Sequence, residues 1–216
     1  GRIGGLDFSP DGSRLAVNLN APRTPGDVYV LNLRNRSLIQ WTQSEVGGLD
    51  TESFSKPELI HVNSFDGLDV PGFIYKPTGP GPHPLVVYIH GGPESQFRPS
   101  FSSLIQYWVK ELGVAVLATN VRGSSGFGKT YVQLDNGYKR EHSVKDIGAF
   151  LDWIGDQSDL DQERIAVFGG SYGGYMVLAS MTHYNDRLRC AVDVVGISNF
   201  VSFLKNTKAY RRDLRR

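Results

Sequence analysis

Ser171 stands in Phe168-Gly169-Gly170-Ser171-Tyr172-Gly173-Gly174-Tyr175, a stretch that contains G-x-S-x-G as Gly169, Ser171 and Gly173. An apolar, β-branched run, Arg164-Ile165-Ala166-Val167-Phe168, precedes it, and a helix-like run from Tyr175 to Met181 follows it. Strand, sharp turn and helix form the context in which this motif is a nucleophile elbow. A serine on so tight a turn sits in strained backbone, so its neighbours must lack bulk. The helix behind it favours developing negative charge at its N-terminus. The plain alternative is a glycine-rich turn with an incidental serine.

A serine hydroxyl is a weak nucleophile and needs a general base within hydrogen-bond reach. In this arrangement an acid and then a histidine follow the serine in the chain. Of the five histidines only His183 does so, twelve residues on. At 1.5 Å per residue the helix carries it about 18 Å from the serine. His61, His83, His90 and His142 come earlier, and Asp186 and Asp193 are poor candidates for the acid. The expectation is that acid and base lie beyond Arg216.

His90-Gly91-Gly92-Pro93 follows the apolar run Leu85-Val86-Val87-Tyr88-Ile89. That is the position of the loop that supplies a second oxyanion donor, a backbone N–H, in α/β-hydrolases; the first is the N–H after the nucleophile, that of Tyr172. His90 reads as support for this loop rather than as a base, and Gly91-Gly92 as an ordinary turn is the alternative. Arg122-Gly123-Ser124-Ser125-Gly126-Phe127-Gly128 lacks the spacing of a phosphate-binding loop. It reads as a shaped loop at the C-terminal end of a strand, near the site by topology.

These motifs need elements to hold them. Residues 1–56 read as all-β: short strands within 6–17 around the turn Ser9-Pro10-Asp11-Gly12, then strands at 28–33 and 37–41, about one propeller blade. One blade cannot bury its own faces. Residues 42–57 read as a polar linker. From residue 57 a hairpin turns at Asp66-Gly67 between 59–62 and 73–75, and strand 85–89 reads as buried on both faces. Helix (about 101–112), strand (114–118), helix (about 143–155), strand (164–168), helix (174–183) and strand (190–195) then alternate. That order gives an α/β fold with a mostly parallel sheet and helices on both faces.

Composition narrows the class. The chain has 216 residues, 40% of them hydrophobic, and a formal net charge of +1. No apolar run spans a membrane and no secretory leader opens the chain. Residues 205–216 hold Lys205, Lys208, Arg211, Arg212, Arg215 and Arg216 against Asp213 alone. With no aromatic or glycine-rich binding pattern beside it, this basic run reads as a charged helix face rather than a surface for nucleic acid or acidic membrane. The single cysteine, Cys190, reads as a small buried hydrophobe and suits a reducing, cytoplasmic compartment. No metal-ligand spacing is present, so neither metal nor cofactor is expected.

Together, Ser9-Pro10-Asp11-Gly12, His90-Gly91-Gly92-Pro93, Asn120-Val121-Arg122-Gly123-Ser124-Ser125-Gly126-Phe127-Gly128 and Gly169-Gly170-Ser171-Tyr172-Gly173-Gly174-Tyr175 resemble the prolyl oligopeptidase family of serine peptidases. The nearest branch is the acylaminoacyl-peptidase and dipeptidyl-peptidase-like one. The resemblance implies a β-propeller over an α/β-hydrolase domain, here residues 1–56 as the end of the propeller plus linker and 57–216 as part of the catalytic domain. It implies Ser171 as nucleophile, the N–H groups of Tyr172 and Gly92 as the oxyanion hole, and short peptides as substrate. Histidine at position 90, where several relatives have tyrosine, points to a backbone donor. Gly196 to Phe203 corresponds to the wall of the pocket for the residue before the scissile bond, with Ile197, Phe200 and Phe203 making it apolar; plain core packing is the alternative for these three. The family's Asp and His would follow Arg216, so the chain reads as an internal piece that does not hydrolyse peptides alone. Homo-oligomerisation stays open. An esterase or lipase-like hydrolase, or a non-catalytic interaction protein on the same fold, are the rival readings.

Overall fold

Short alternating runs broken by Gly-containing turns fold the N-terminal residues into an antiparallel sheet of β1 (Arg2–Phe8), β2 (Arg14–Ala21), β3 (Thr24–Asn32) and β4 (Leu38–Gln40), in that spatial order. The computed structural model describes residues 1–209. The β1–β2 turn closes as read: Gly12 N–H donates to the Ser9 carbonyl at 2.8 Å, with Gly12 at φ 65°. The Ser9 hydroxyl donates to Asp11 at 2.6 Å. Ile3, Leu6, Phe8, Ile39 and Trp41 remain exposed, as a lone four-stranded sheet with uncovered faces must leave them. The stretch after β4, read as a linker, begins tied to β3: buried Asp27 accepts from the Thr42 hydroxyl (2.9 Å) and the Ser44 N–H (2.8 Å).

Two compact units emerge, residues 1–57 with 98–112, and residues 58–97 with 113 onward. The first therefore includes α1 (Ser103–Lys110), capped by the Ser102 hydroxyl on the Ile105 N–H. Buried Gln106 fixes it there, donating to the carbonyls of Pro22 (3.1 Å) and Ser55 (2.9 Å) and accepting from the Ser55 N–H (2.8 Å).

The second unit is built on a six-stranded sheet of β5 (Glu58–Asn63), β6 (Asp69–Tyr75), β7 (His83–Ile89), β8 (Ala115–Thr119), β9 (Leu160–Gly170) and β10 (Cys190–Val194), ordered β10-β9-β7-β8-β6-β5. The pairs β10/β9, β9/β7 and β7/β8 are parallel; β8/β6 and the β5/β6 hairpin are antiparallel. The described helices of this unit are α2 (Lys129–Val132), α3 (Arg140–Gly155), α4 (Tyr172–His183) and α5 (Phe200–Asn206). Val144, Ile147, Phe150, Leu151 and Ile154, at helical spacing on α3, are at most 1% exposed and pack into the core with Leu85, Val87, Ile165 and Val167. Full burial of each such side chain contributes about 1.5–3 kcal/mol before entropic costs. The α3 core face packs tightly on β6: a Cβ on Gly72 would stand 3.0 Å from the Phe150 ring.

Three details differ from the sequence reading. The strand buried along its whole length is β8; β7 alternates, with Leu85, Val87 and Ile89 buried and Val86 and Tyr88 half-buried. Tyr88 is covered instead by the rings of Phe97 (5.9 Å) and Phe168 (5.5 Å). Cys190 is exposed rather than buried, because β10 is the outermost strand of the sheet and all five of its residues are open. Of the basic run, Lys205 lies in the last turn of α5, but the helix ends at Asn206 and Lys208 follows beyond it, while Arg211, Arg212, Arg215 and Arg216 lie outside the described residues.

Candidate active site

From β7 the chain moves to β8 on one side and later returns to β9 on the other. Strand order thus reverses at β7, and the crevice beyond the carboxyl ends of such strands is where open α/β sheets bind ligands. The loops after β7, β8 and β9 carry the three motifs. Paired bonds join the first two: the Phe97 N–H donates to Asn120 Oδ1 (2.7 Å), Asn120 Nδ2 donates to the Phe97 carbonyl (3.1 Å), and the Ser125 N–H donates to the Ser95 carbonyl (2.7 Å).

Ser171 occupies the turn between β9 and α4 at φ 58°, ψ −118°, a conformation rarely held by any residue but glycine. Serine is among the preferred helix N-caps, yet Ser171 makes no side-chain capping bond, and it is exposed. Its hydroxyl is therefore not consumed by the helix it precedes. The backbone is pinned on both sides, Ser171 N–H to the Val194 carbonyl (2.9 Å) and Tyr175 N–H to the Ser171 carbonyl (3.1 Å). The glycines are steric requirements. A Cβ on Gly169 would collide with the Gly173 and Ile89 carbonyls, and one on Gly173 with those of Ile89 and His90. A Cβ on Gly174 would strike Asp193, whose carboxylate accepts from the Gly196 N–H at 2.8 Å.

Loop 90–93 lies against this turn. A Cβ on Gly91 would stand 3.0 Å from the Gly170 carbonyl and 3.5 Å from Ser171 Cβ. Gly92 adopts φ 138°, where any side chain is strained, and a Cβ there would crowd the N–H groups of Glu94 and Ser95. His90 is 9% exposed; Nδ1 donates to the Gly91 carbonyl (2.7 Å), and Nε2 lies 2.8 Å from the Ser124 hydroxyl, which itself donates to the Val121 carbonyl (2.6 Å). Burial pushes its imidazole below the ordinary value against the opposing bond to Gly91. His90 thus braces loop 90–93 against loop 122–128. Tyr172 is the first residue of α4, and its N–H is among those that an α-helix leaves without an internal partner.

Arg122 anchors the loop after β8 from below. The side chain is 2% exposed, with Nε and Nη2 on Asp146 (2.8–3.1 Å) and Nη1 and Nη2 on Asp66 (2.8 and 2.9 Å). Burial would lower the guanidinium pKa, but the bonds to Asp66 and Asp146 more than reverse this and hold it charged. The same bonds hold the Asp66 carboxyl down to about 2.

Ile197 and Phe203 are half-buried. Phe200 packs edge-on to Tyr175, ring centroids 4.8 Å apart, at the margin of the core. Each histidine other than His90 is engaged away from the turn. His61 pairs with Asp69, His83 opens β7 at its far end, His142 meets the Phe65 ring, and His183 closes α4 beside Glu141. Among the described residues no three His, Cys, Asp or Glu gather as metal ligands, and no helix is long and apolar enough to cross a membrane. The sequence reading missed Asp135, a fully buried carboxylate against the Tyr172 hydroxyl. It lies outside every motif, and only its place before a short helical segment could have drawn notice.

A family profile described as the prolyl oligopeptidase family matches residues 99–214, more than half of the chain. The chain belongs to the prolyl oligopeptidase family. The dipeptidyl aminopeptidase BIII of Pseudoxanthomonas mexicana is 37% identical over 129 residues, covering 60% of this chain and 19% of that protein. The acylamino-acid-releasing enzyme of Homo sapiens is 30% identical over 154 residues, covering 70% and 21%. A puromycin hydrolase structure superposes with a TM-score of 0.87 at 24% identity over 99% of this chain and 33% of its own. The acylaminoacyl peptidase structure from Pyrococcus horikoshii gives 0.80 at 24% identity over 94% and 32%. Members of this family are serine peptidases with a β-propeller and an α/β-hydrolase domain, and the two sheets of this chain fit that division. The chain spans about a fifth of the length of these two relatives and a third of these two structures.

Proposed function

We propose that the full-length protein is a serine peptidase acting on short peptides through an acyl-enzyme on Ser171. Ser171 Oγ forms a bond to the scissile carbonyl carbon, and the N–H groups of Tyr172 and Gly92 receive the negative charge on the carbonyl oxygen. The C–N bond then breaks, and the serine proton leaves on the amine by way of a histidine. Water hydrolyses the resulting ester and frees Ser171. The observation that carries this reading is the strained, uncapped Ser171 with Gly91 packed on it. An oxyanion donor of this kind is worth about 10²–10³ in turnover.

The acid and the histidine come from outside these 216 residues in this reading, which is supported by His90 being taken up in bracing loop 90–93, by the placement of the other four histidines away from the turn, and by relatives three to five times longer. The chain by itself then lacks peptidase activity. Ile197 and Phe203 form an apolar wall for the residue before the scissile bond, with Phe200 supporting it through Tyr175. A cytoplasmic setting goes with this function, the single cysteine Cys190 leaving these residues no internal disulfide.

The test compares peptide p-nitroanilides with p-nitrophenyl esters on the full-length protein and on its Ser171→Ala variant. Peptide cleavage that disappears with Ser171→Ala supports the reading. Cleavage of esters alone assigns an esterase instead, and peptide cleavage that survives the substitution removes Ser171 from the reaction.

A further inference from the structure

We propose that Asp135 is a positioning residue for the oxyanion hole: its buried carboxylate anchors the Tyr172 side chain and thereby fixes the Tyr172 N–H beside the nucleophile. The inference rests on the peptidase reading above.

The first turn of α4 lacks the usual fastening. Its N-cap residue is Ser171, whose hydroxyl makes no capping bond. Substitute restraint comes from the side chain of Tyr172, the residue that presents the N–H. Tyr172 is 2% exposed, and its hydroxyl donates to Asp135 Oδ2 at 2.9 Å, with the Ser143 hydroxyl 3.1 Å away. The Arg140 guanidinium lies 5.4 Å from the Tyr172 ring centroid and 3.7 Å from the same carboxylate oxygen. The tyrosine is thus held at its tip by a carboxyl group, whose pKa burial raises against the opposing bond from Tyr172, and over its face by a cation.

Asp135 is costly to keep where it is. It is 0% exposed, and its Oδ1 has no hydrogen-bond partner. A buried polar atom left in that state is destabilising, so an apolar residue would serve packing better. The surroundings are shaped for the carboxylate all the same. Gly123, at φ 94°, abuts it so closely that any Cβ would run into the carboxylate group. Loop 122–128, the segment before α3 and α3 itself converge on one oxygen pair, and the single bond leading from it toward Ser171 is the one from Tyr172. Oxyanion donors act within a few tenths of an ångström of about 2.9 Å, and a misplacement of about 1 Å can cost 10²-fold in rate.

The experiment uses the full-length protein with the variants Asp135→Asn, Tyr172→Phe and the two combined. Peptide p-nitroanilide turnover is expressed per active site titrated with a fluorophosphonate. Each single variant is expected to lower kcat about tenfold or more while KM stays within about twofold, and the double variant is expected to be no worse than the poorer single one. A purely structural role would reduce the number of titratable sites and leave kcat per site unchanged, and that result overturns the proposal. If Asp135→Asn does not fold, Tyr172→Phe decides on the same criterion; if neither folds, the pair is a stability element and the proposal falls. A wild-type protein that neither cleaves peptide nor reacts with the fluorophosphonate sinks the peptidase reading instead, and does so before any variant is compared.

Discussion

Replacing Ser171 by glycine should make this chain more stable, the reverse of what glycine does at most positions. The wild-type residue holds φ 58°, ψ −118°. A side chain kept in so sparsely populated a region costs about 1–3 kcal/mol. Glycine removes that cost but adds about 0.4–1 kcal/mol of unfolded-chain entropy. The balance is a stabilisation of roughly 0.5–2 kcal/mol, and each kcal/mol moves Tm by about 2–4 °C in a chain of this size. Alanine keeps the strain and forfeits no capping bond, since Ser171 makes none, so Ser171→Ala should match the wild type. Urea denaturation of the 216-residue chain, followed by circular dichroism, would rank the three proteins. The expected order is glycine above serine, with alanine equal to serine and m unchanged. An ordinary N-cap gives another order, in which alanine loses about 1 kcal/mol and glycine a few tenths. That second order would refute the claim that backbone strain is stored at Ser171.

Neighbouring glycines should divide sharply. Gly173→Ala drives a methyl into the Ile89 and His90 carbonyls and should cost about 1–3 kcal/mol or more, whereas Gly170→Ala makes ordinary contacts with the Val194 carbonyl at 3.5 Å and Val194 Cβ at 3.8 Å and should stay within about 1 kcal/mol of wild type in the same denaturation series. Arg122→Met leaves the fully buried Asp146 without its cation and should cost about 3–5 kcal/mol, read as a fall in the urea midpoint. The Asp66 carboxyl, held at about 2 instead of 3.8 by Arg122, stabilises the fold in its ionised form. That contribution is complete above about pH 4 and is lost as pH falls toward 2, so Asp66→Asn should flatten the acid side of a stability–pH profile over that window.

The elements that hold the motifs were readable because each has a strong local signal. The run before Gly169 ends β9, the helical spacing of Val144, Ile147, Phe150, Leu151 and Ile154 marks α3, and Pro10 with Gly12 marks the first hairpin. The juxtaposition of Gly91 with Ser171 followed from motif order, since parallel strands bring their C-terminal loops to one edge. What could not be read depends on distant partners. Asp135 meets Tyr172 across 37 positions, and Arg122 meets Asp66 across 56, with no periodicity linking either pair. Arg122 in particular reads as a loop residue, yet it is the largest fully buried side chain of the described residues. Burial of Cys190 failed for a related reason: an apolar run says that a strand will form, not whether another strand will lie beside it.

The account stands or falls on Ser171 as the acylated residue. Treating the full-length protein with a fluorophosphonate and locating the adduct by tandem mass spectrometry tests this directly. The predicted result is one stoichiometric adduct on the peptide containing Gly169 to Tyr175, at Ser171, blocked in advance by a peptide substrate and absent from Ser171→Ala. A protein that cleaves peptides while its adduct forms on another residue, or on none, would contradict it.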